Sequence, residues 1–179
     1  MNQNVTVLKK LPLFLGINEK EIDVLLKDMG SRVRSYDKGN FIFYAGDEVH
    51  ALGIVLHGSV HIIQEDYWGN RNILAYIPAG GMFAEAFASL PDARSAVDVM
   101  AVEKSEVLFI NLRYILGGHT TLTESQKTLA ANLLAVLAEK NLVLTEKIRY
   151  MSQRSTRQKL MAYLSHEARK RGKDTFSIE

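Results

Sequence analysis

The chain has 179 residues, a hydrophobic share of 47% and a formal net charge of +2, enough for one sizeable core plus a small appendage. It contains no cysteine, which excludes disulfides, iron–sulfur clusters, thiolate zinc sites and thiol sensing. No unbroken apolar run reaches the roughly 18 residues of a spanning segment, and the start MNQNVTVLKKLPLF lacks a signal-peptide pattern, so the expectation is a cytoplasmic protein with no membrane partner.

In chain order, residues 12–30 read as a short helical segment. Asn18 is its N-cap with Glu21 three residues on; Ile22, Leu25, Leu26 and Met29 form its apolar stripe, and Gly30 falls where a C′ glycine belongs. From 31 to 113 the character changes. The β-rich runs FIFY, ALGIVL, SVHIIQ, NILAYI, SAVDVMAV and SEVLFI alternate with turn signals such as Ala45-Gly46-Asp47, His57-Gly58 and Trp68-Gly69-Asn70. Turns about ten residues apart predict a sandwich or barrel of short strands. The Ala-rich segment 82–90 reads as a helical turn inserted between strands.

Residues 121–151 predict one long helix, opened by a capping box at Thr121/Glu124 or Thr123/Gln126. Leu134, Leu137, Asn141, Leu144, Ile148 and Met151 follow 3-4 spacing, a seam with one polar position. Leu129, Leu133, Val136 and Val143 make a second stripe. Two apolar faces require two partners, and the lone Asn141 suits a symmetric homodimer seam better than burial inside one large domain. After a break at 152–154, Ser155 with Gln158 caps a further helix that ends at Gly172, and DTFSIE begins a strand. Residues 146–173 hold Lys147, Arg149, Arg154, Arg157, Lys159, Arg169, Lys170, Arg171 and Lys173 against only Glu146 and Glu167. Such a basic end suits phosphates or a solvated helix face, and charge alone favours the second.

The pieces, in this order, resemble the CRP/FNR family of transcription regulators over essentially the whole chain. The resemblance rests on Tyr36-Asp37-Lys38-Gly39, Gly46-Asp47, Ile54 to Val60, Gly81-Met82-Phe83-Ala84-Glu85-Ala86, Arg94-Ser95-Ala96 and Arg154 to Leu164. It implies an α+β protein. A double-stranded β-helix (jelly-roll) sensor domain with an N-terminal helix would span 1–120, a dimerisation helix 121–151, and the beginning of a winged-helix domain 152–179, with the DNA-reading helices beyond. The implied function is effector-controlled DNA binding by a homodimer. The alternative is a stand-alone cyclic-nucleotide-like ligand-binding module without DNA binding.

In cyclic-nucleotide-binding members of that family the inserted turn is a phosphate cassette. Glu85 matches its glutamate and Arg94-Ser95 its Arg-Ser pair, with Ala84 and Ala86 flanking the glutamate. This chain departs from the pattern in three ways. Ala84 replaces the cassette glycine, the stretch from Glu85 to Arg94 is a residue shorter, and Leu144-Thr145 stands where cAMP-binding members offer Thr-Ser to the adenine. Leu144 neither donates nor accepts; Thr145 keeps a hydroxyl. The resemblance therefore implies a small anionic effector, disfavours cAMP and names no cofactor. A structural alternative for Glu85 and Arg94 is a buried pair, Arg94 tied to Glu85 and nearby carbonyls. His57 and His61 are expected on one face of a strand, about 13 Å apart, as partly exposed strand histidines rather than haem ligands. Tyr67 and Trp68 read as a hairpin tip. The sequence has no Ser/His/Asp or Cys/His set, P-loop or metal-ligand spacing, so catalysis is not expected.

Overall fold

The computed structural model describes residues 2–117, 121–172 and 175. Its contacts divide the chain into two compact units, Met1–Leu134 and Ala135–Glu179. The DTFSIE strand expectation lies almost wholly outside the described residues.

The first unit is built on eight short strands: β1 (Arg32–Tyr36), β2 (Phe41–Phe43), β3 (Leu52–His57), β4 (Ser59–Glu65), β5 (Arg71–Pro78), β6 (Met82–Phe83), β7 (Asp98–Ala101) and β8 (Ser105–Ile110). They form two four-stranded antiparallel sheets, ordered β1-β8-β3-β6 and β2-β7-β4-β5. Val55, Val60, Phe83, Val99 and Val107 are buried as one cluster, with Tyr36, Ile42, Phe43, Ile62, Ile77, Ala84 and Phe109 packed around it. The turn between β3 and β4 is Gly58, at φ +76°; a side chain there would also run into Ser105. The Ser105 hydroxyl accepts from the Ser59 N–H and donates to the Ser59 carbonyl, both at 3.1 Å.

Helices accompany the sheets. α1 (Asn2–Leu8) buries Val5 and Leu8, and a 3-10 turn at Pro12–Phe14 buries Leu13 and Phe14. α2 (Glu19–Asp28) has the expected capping box, with Asn18 Oδ1 accepting from the Glu21 N–H at 3.0 Å, and buries Ile22, Leu25 and Leu26. Gly30 follows it at φ +59°. Two very short helices, α3 (Glu85–Ala88) and α4 (Arg113–Leu116), flank the last strands. The long α5 (Glu124–Met151) opens on the Thr123/Gln126 box: the Gln126 N–H donates to Thr123 Oγ1, and Thr123 N–H to Gln126 Oε1. Its first turns belong to this unit. Leu129 and Leu133 are buried, and the Asn132 amide donates to the carbonyls of Leu13 (3.0 Å) and Leu15 (2.8 Å).

The second unit holds the rest of α5 and α6 (Thr156–Arg171). The Ser155/Gln158 capping box is formed and Gly172 ends α6 in the left-handed conformation. Tyr150 meets Tyr163 edge-on at 5.7 Å between ring centroids, and His166 Nδ1 lies 2.5 Å from Glu146 Oε2. Burial raises the Tyr150 phenol, with smaller contributions from Tyr163, Glu167 and Glu146. Among the described residues α6 buries no side chain.

Several expectations need correction. Met82 and Phe83 are not the start of a helical turn but a two-residue strand paired with Ile54 and Gly53. Gly53 is required there, because any side chain would collide with the Phe83 ring. His57 and His61 do not share a strand face: Gly58 separates them onto β3 and β4, in different sheets. His57 is 4.0 Å from Glu106, and His61 packs edge-on to Tyr76. The second α5 stripe is buried at Leu129, Leu133 and Val136 but ends before Val143, which is half exposed. α1 and β1 carried no earlier expectation. Tyr67 and Trp68 do sit, exposed, at a hairpin tip held by Asp66.

Candidate ligand site

The cassette segment is built around a backbone turn that alanine does not favour. Ala84 has φ +63° and ψ 8° and caps α3. A side chain in the left-handed region costs about 1–2 kcal/mol that glycine avoids. The Ala84 methyl is used, since it packs against the inter-sheet cluster. Glu85 follows and is only 7% exposed. Its carbonyl accepts from the Ser89 N–H at 3.1 Å and the Ser89 hydroxyl at 2.7 Å. Ala86 is exposed.

Arg94 and Ser95 are positioned by a short backbone ladder against residues 46–49. Val49 N–H donates to Ala93 O at 3.1 Å, Ser95 N–H to Asp47 O at 2.9 Å, and Gly46 N–H to Ser95 O at 2.8 Å. The Arg94 guanidinium is exposed and engaged at both terminal nitrogens. Nη1 donates to the Gly46 carbonyl at 2.9 Å, and Nη2 pairs with Glu48 Oε1 at 2.6 Å. Of the partners expected in the buried-pair alternative, a nearby carbonyl is present, but the carboxylate is Glu48. Glu48 also lies 3.5 Å from His50 Nε2. The buried Ser95 hydroxyl closes a local turn, donating to Val97 O at 2.5 Å and accepting from the Val97 N–H at 3.2 Å. Glu48 is the site residue that sequence reasoning missed. Its link to Arg94 spans 46 residues, so no local signal exposes it.

This arrangement is suited to exchange of an anion. An exposed Arg–Glu pair contributes only about 0–1 kcal/mol, so an anion presenting two oxygens to the Arg94 fork displaces Glu48 at little cost. Ala84, Glu85 and Ala86 are contiguous, and Arg94 and Ser95 sit together on the 46–49 segment. Thr145 belongs to the second unit, where its hydroxyl donates to the Asn141 carbonyl at 2.9 Å.

The residues of the expected seam lie along α5 and are mostly exposed. Leu134 is 70% exposed, Leu144 57%, Ile148 68% and Met151 60%. Asn141 is exposed and Leu137 half-buried. By length and composition α5 is apolar enough to cross a membrane, with an 18-residue window of mean hydropathy 1.3. The core helix of a soluble protein meets the same test, and Leu129 and Leu133 are core residues here. No group of three or more His, Asp or Glu able to hold a metal occurs among the described residues.

An open cleft of about 800 Å³ lies in the first unit, bounded by β1, β2 and the 47–51 segment. None of Ala84, Glu85, Ala86, Arg94 or Ser95 lines it, though Glu48 does.

Comparison with known proteins places this architecture. The model of the cyclic nucleotide-binding domain family matches residues 33–117. The cyclic AMP receptor protein of Thermus thermophilus is 30% identical over 133 residues, 74% of this chain and 58% of that protein, so the match spans less than two thirds of that relative. The crystal structure of the Thermus thermophilus catabolite activator protein aligns with a TM-score of 0.59 and 28% identity, covering 90% of this chain and 72% of that one. The sensor domain of the regulator DNR from Pseudomonas aeruginosa aligns with a TM-score of 0.66 and 22% identity, covering 86% of this chain and 97% of that one. Its low identity speaks for the fold alone. Residues 33–117 thus match the cyclic nucleotide-binding domain family, and the chain is similar in sequence and fold to regulators of the CRP/FNR type.

Proposed function

We propose that the chain is the sensing and dimerising part of a cytoplasmic, DNA-binding transcription regulator, and that its effector is a small anion other than cAMP. The observation that carries this reading is the Arg94 fork, held by the exposed Glu48 carboxylate beside Ser95. It is a charged group already arranged for an anion and occupied by a weak internal competitor. Ala84, Glu85 and Ala86 would contribute the cassette side of the site. Leu144 offers no hydrogen bond to a purine, which argues against cAMP. Leu134, Leu137, Asn141, Leu144, Ile148 and Met151 would form the seam between two copies. Residues 152–179 would begin a winged-helix domain, its angle set through the break at 152–155. An effector works such a switch only by its differential affinity for the two states.

Calorimetric titration of the full chain with a series of phosphate esters, cAMP included, tests the site. At least one ester should bind one-to-one, and cAMP should rank among the weak ones. Arg94→Gln should weaken the best ligand about tenfold or more, and Glu48→Gln should strengthen it severalfold by removing the competitor. In the intact gene product Arg94→Gln should also abolish effector-dependent DNA binding. Ligands that bind Arg94→Gln as tightly as the wild type would contradict the assignment. DNA binding absent in every state would favour a stand-alone ligand-binding module.

A further inference from the structure

The β1 strand runs against the pattern expected of a strand with one face on a core, where apolar side chains point inward and charges outward. Its register against β8 pairs Tyr36 with Ser105, Arg34 with Val107 and Arg32 with Phe109. Val107 is fully buried in the inter-sheet cluster, and Tyr36 and Phe109 pack against that cluster. By the two-residue period of a strand, Arg32 and Arg34 therefore stand on the same inner side. Val33 takes the other side and is 47% exposed. Both arginines are exposed on this edge strand, and on that side they line the open cleft of about 800 Å³.

Arg32 and Arg34 balance Asp47 and Glu48 in formal charge, but the two sides of the cleft differ in how they are paired. Each acidic group on its far wall has a partner. Asp47 Oδ2 accepts from the Tyr44 N–H at 2.8 Å, and Glu48 is engaged by Arg94 and His50. Among the described residues neither the Arg32 nor the Arg34 guanidinium has a hydrogen-bond or ion-pair partner.

We infer that this cleft is a second binding site, for a small organic anion with a flat apolar body. Arg32 and Arg34 hold the carboxylate or phosphate, and the body lies against Tyr36 and Phe109. Alternate strand residues stand about 7 Å apart, so two guanidinium forks converge on one anion and each can bind two of its oxygens. Tyr36 and Phe109, 6.5 Å apart and inclined at 70°, form an aromatic corner in which a planar group can stack on one ring and meet the other edge-on. Charged groups beside an apolar wall are the ordinary make-up of a small-molecule site. Its anion-holding groups are distinct from the Arg94 assignment, because Ala84, Glu85, Ala86, Arg94 and Ser95 do not line it, although Glu48 borders both.

Titration of the full chain with phenyl phosphate and with phenylacetate, followed by NMR shifts of the β1 amides, tests the inference. At least one probe should saturate a single site at concentrations of about 1 mM or below, and which one does so separates phosphate from carboxylate selectivity. The double substitution Arg32→Gln/Arg34→Gln should weaken that probe about tenfold or more. The charge-preserving pair Arg32→Lys/Arg34→Lys should lose less, and Val33→Gln, on the outer side, should change affinity less than about twofold. Arg94→Gln frees the Glu48 carboxylate on the cleft wall, so it should weaken this binding, but less than the Gln pair does. The inference is overturned if neither probe saturates, if the Gln pair binds as the wild type does while remaining folded, or if Arg94→Gln costs as much as the Gln pair.

Discussion

The β-roll and the helices that follow Leu134 treat the same kinds of side chain in opposite ways. The first unit encloses a core of Val, Leu, Ile and Phe between two sheets or beneath helices, and Phe83 and Val107 are essentially inaccessible. In the second unit, Leu144, Ile148 and Met151 stand in a row on α5 more than half exposed, and α6 buries nothing. Both helices of the second unit are nevertheless well specified locally: α6 has a complete capping box and a glycine stop. Local signals and tertiary burial are therefore separable in this chain. The first unit has both. The second has the first with little of the second beyond Val136, which is what the proposed α5 seam requires.

Substitutions sharpen this contrast. Phe83→Ala removes a fully buried ring at the centre of the inter-sheet cluster and should cost about 3–5 kcal/mol of unfolding free energy in urea. Ile148→Asp places a charge on the exposed seam. It should abolish self-association, a loss of about 2 kcal/mol or more, while shifting the β-roll transition by no more than about 0.5 kcal/mol. A large loss of β-roll stability in Ile148→Asp would break the contrast. Ala84→Gly relieves the left-handed turn and should stabilise the first unit by about 1 kcal/mol; destabilisation would mean that the alanine methyl contributes more by packing than the turn costs.

The smallest effect concerns the hairpin tip. Hydrogen bonding, first from the Asn70 side chain and then from backbone N–H groups, lowers the Asp66 carboxyl below its ordinary value of 3.8. Its folded value lies below the unfolded one, so the stabilisation is fully present above about 3.8 and is lost as pH falls through the folded value. The Asn70 side-chain amide resonances should follow that loss in an NMR titration, and Asn70→Ala should bring the Asp66 titration back toward 3.8.

What could be read from the sequence was local. Asn18 with Glu21, Thr123 with Gln126, and Ser155 with Gln158 each declare a helix start within four residues, and all three capping boxes form. Gly58 was visible as a turn, but not as the point where the chain passes from one sheet to the other, so the two histidines around it were given one face. Met82-Phe83 escaped as a strand because it is two residues long inside an Ala-rich run, and only its pairing with β3 makes it one. β1 carried no apolar alternation, for its inward positions are arginines. The cassette assignment rests on resemblance to a family, and the partner of Arg94 was not visible in the sequence, because Glu48 reaches it across a long sequence separation that only the fold closes.

The exposed seam and the Arg94 site meet in one claim, that two copies of this chain join through α5 to sense an anion. Native mass spectrometry of the protein purified from its own cells tests it most directly. The account predicts a mass of two chains carrying a small retained anion, with the anion lost in Arg94→Gln and the dimer lost in Ile148→Asp. A single chain in wild-type protein at micromolar concentration, or a dimer that survives Ile148→Asp, would contradict it.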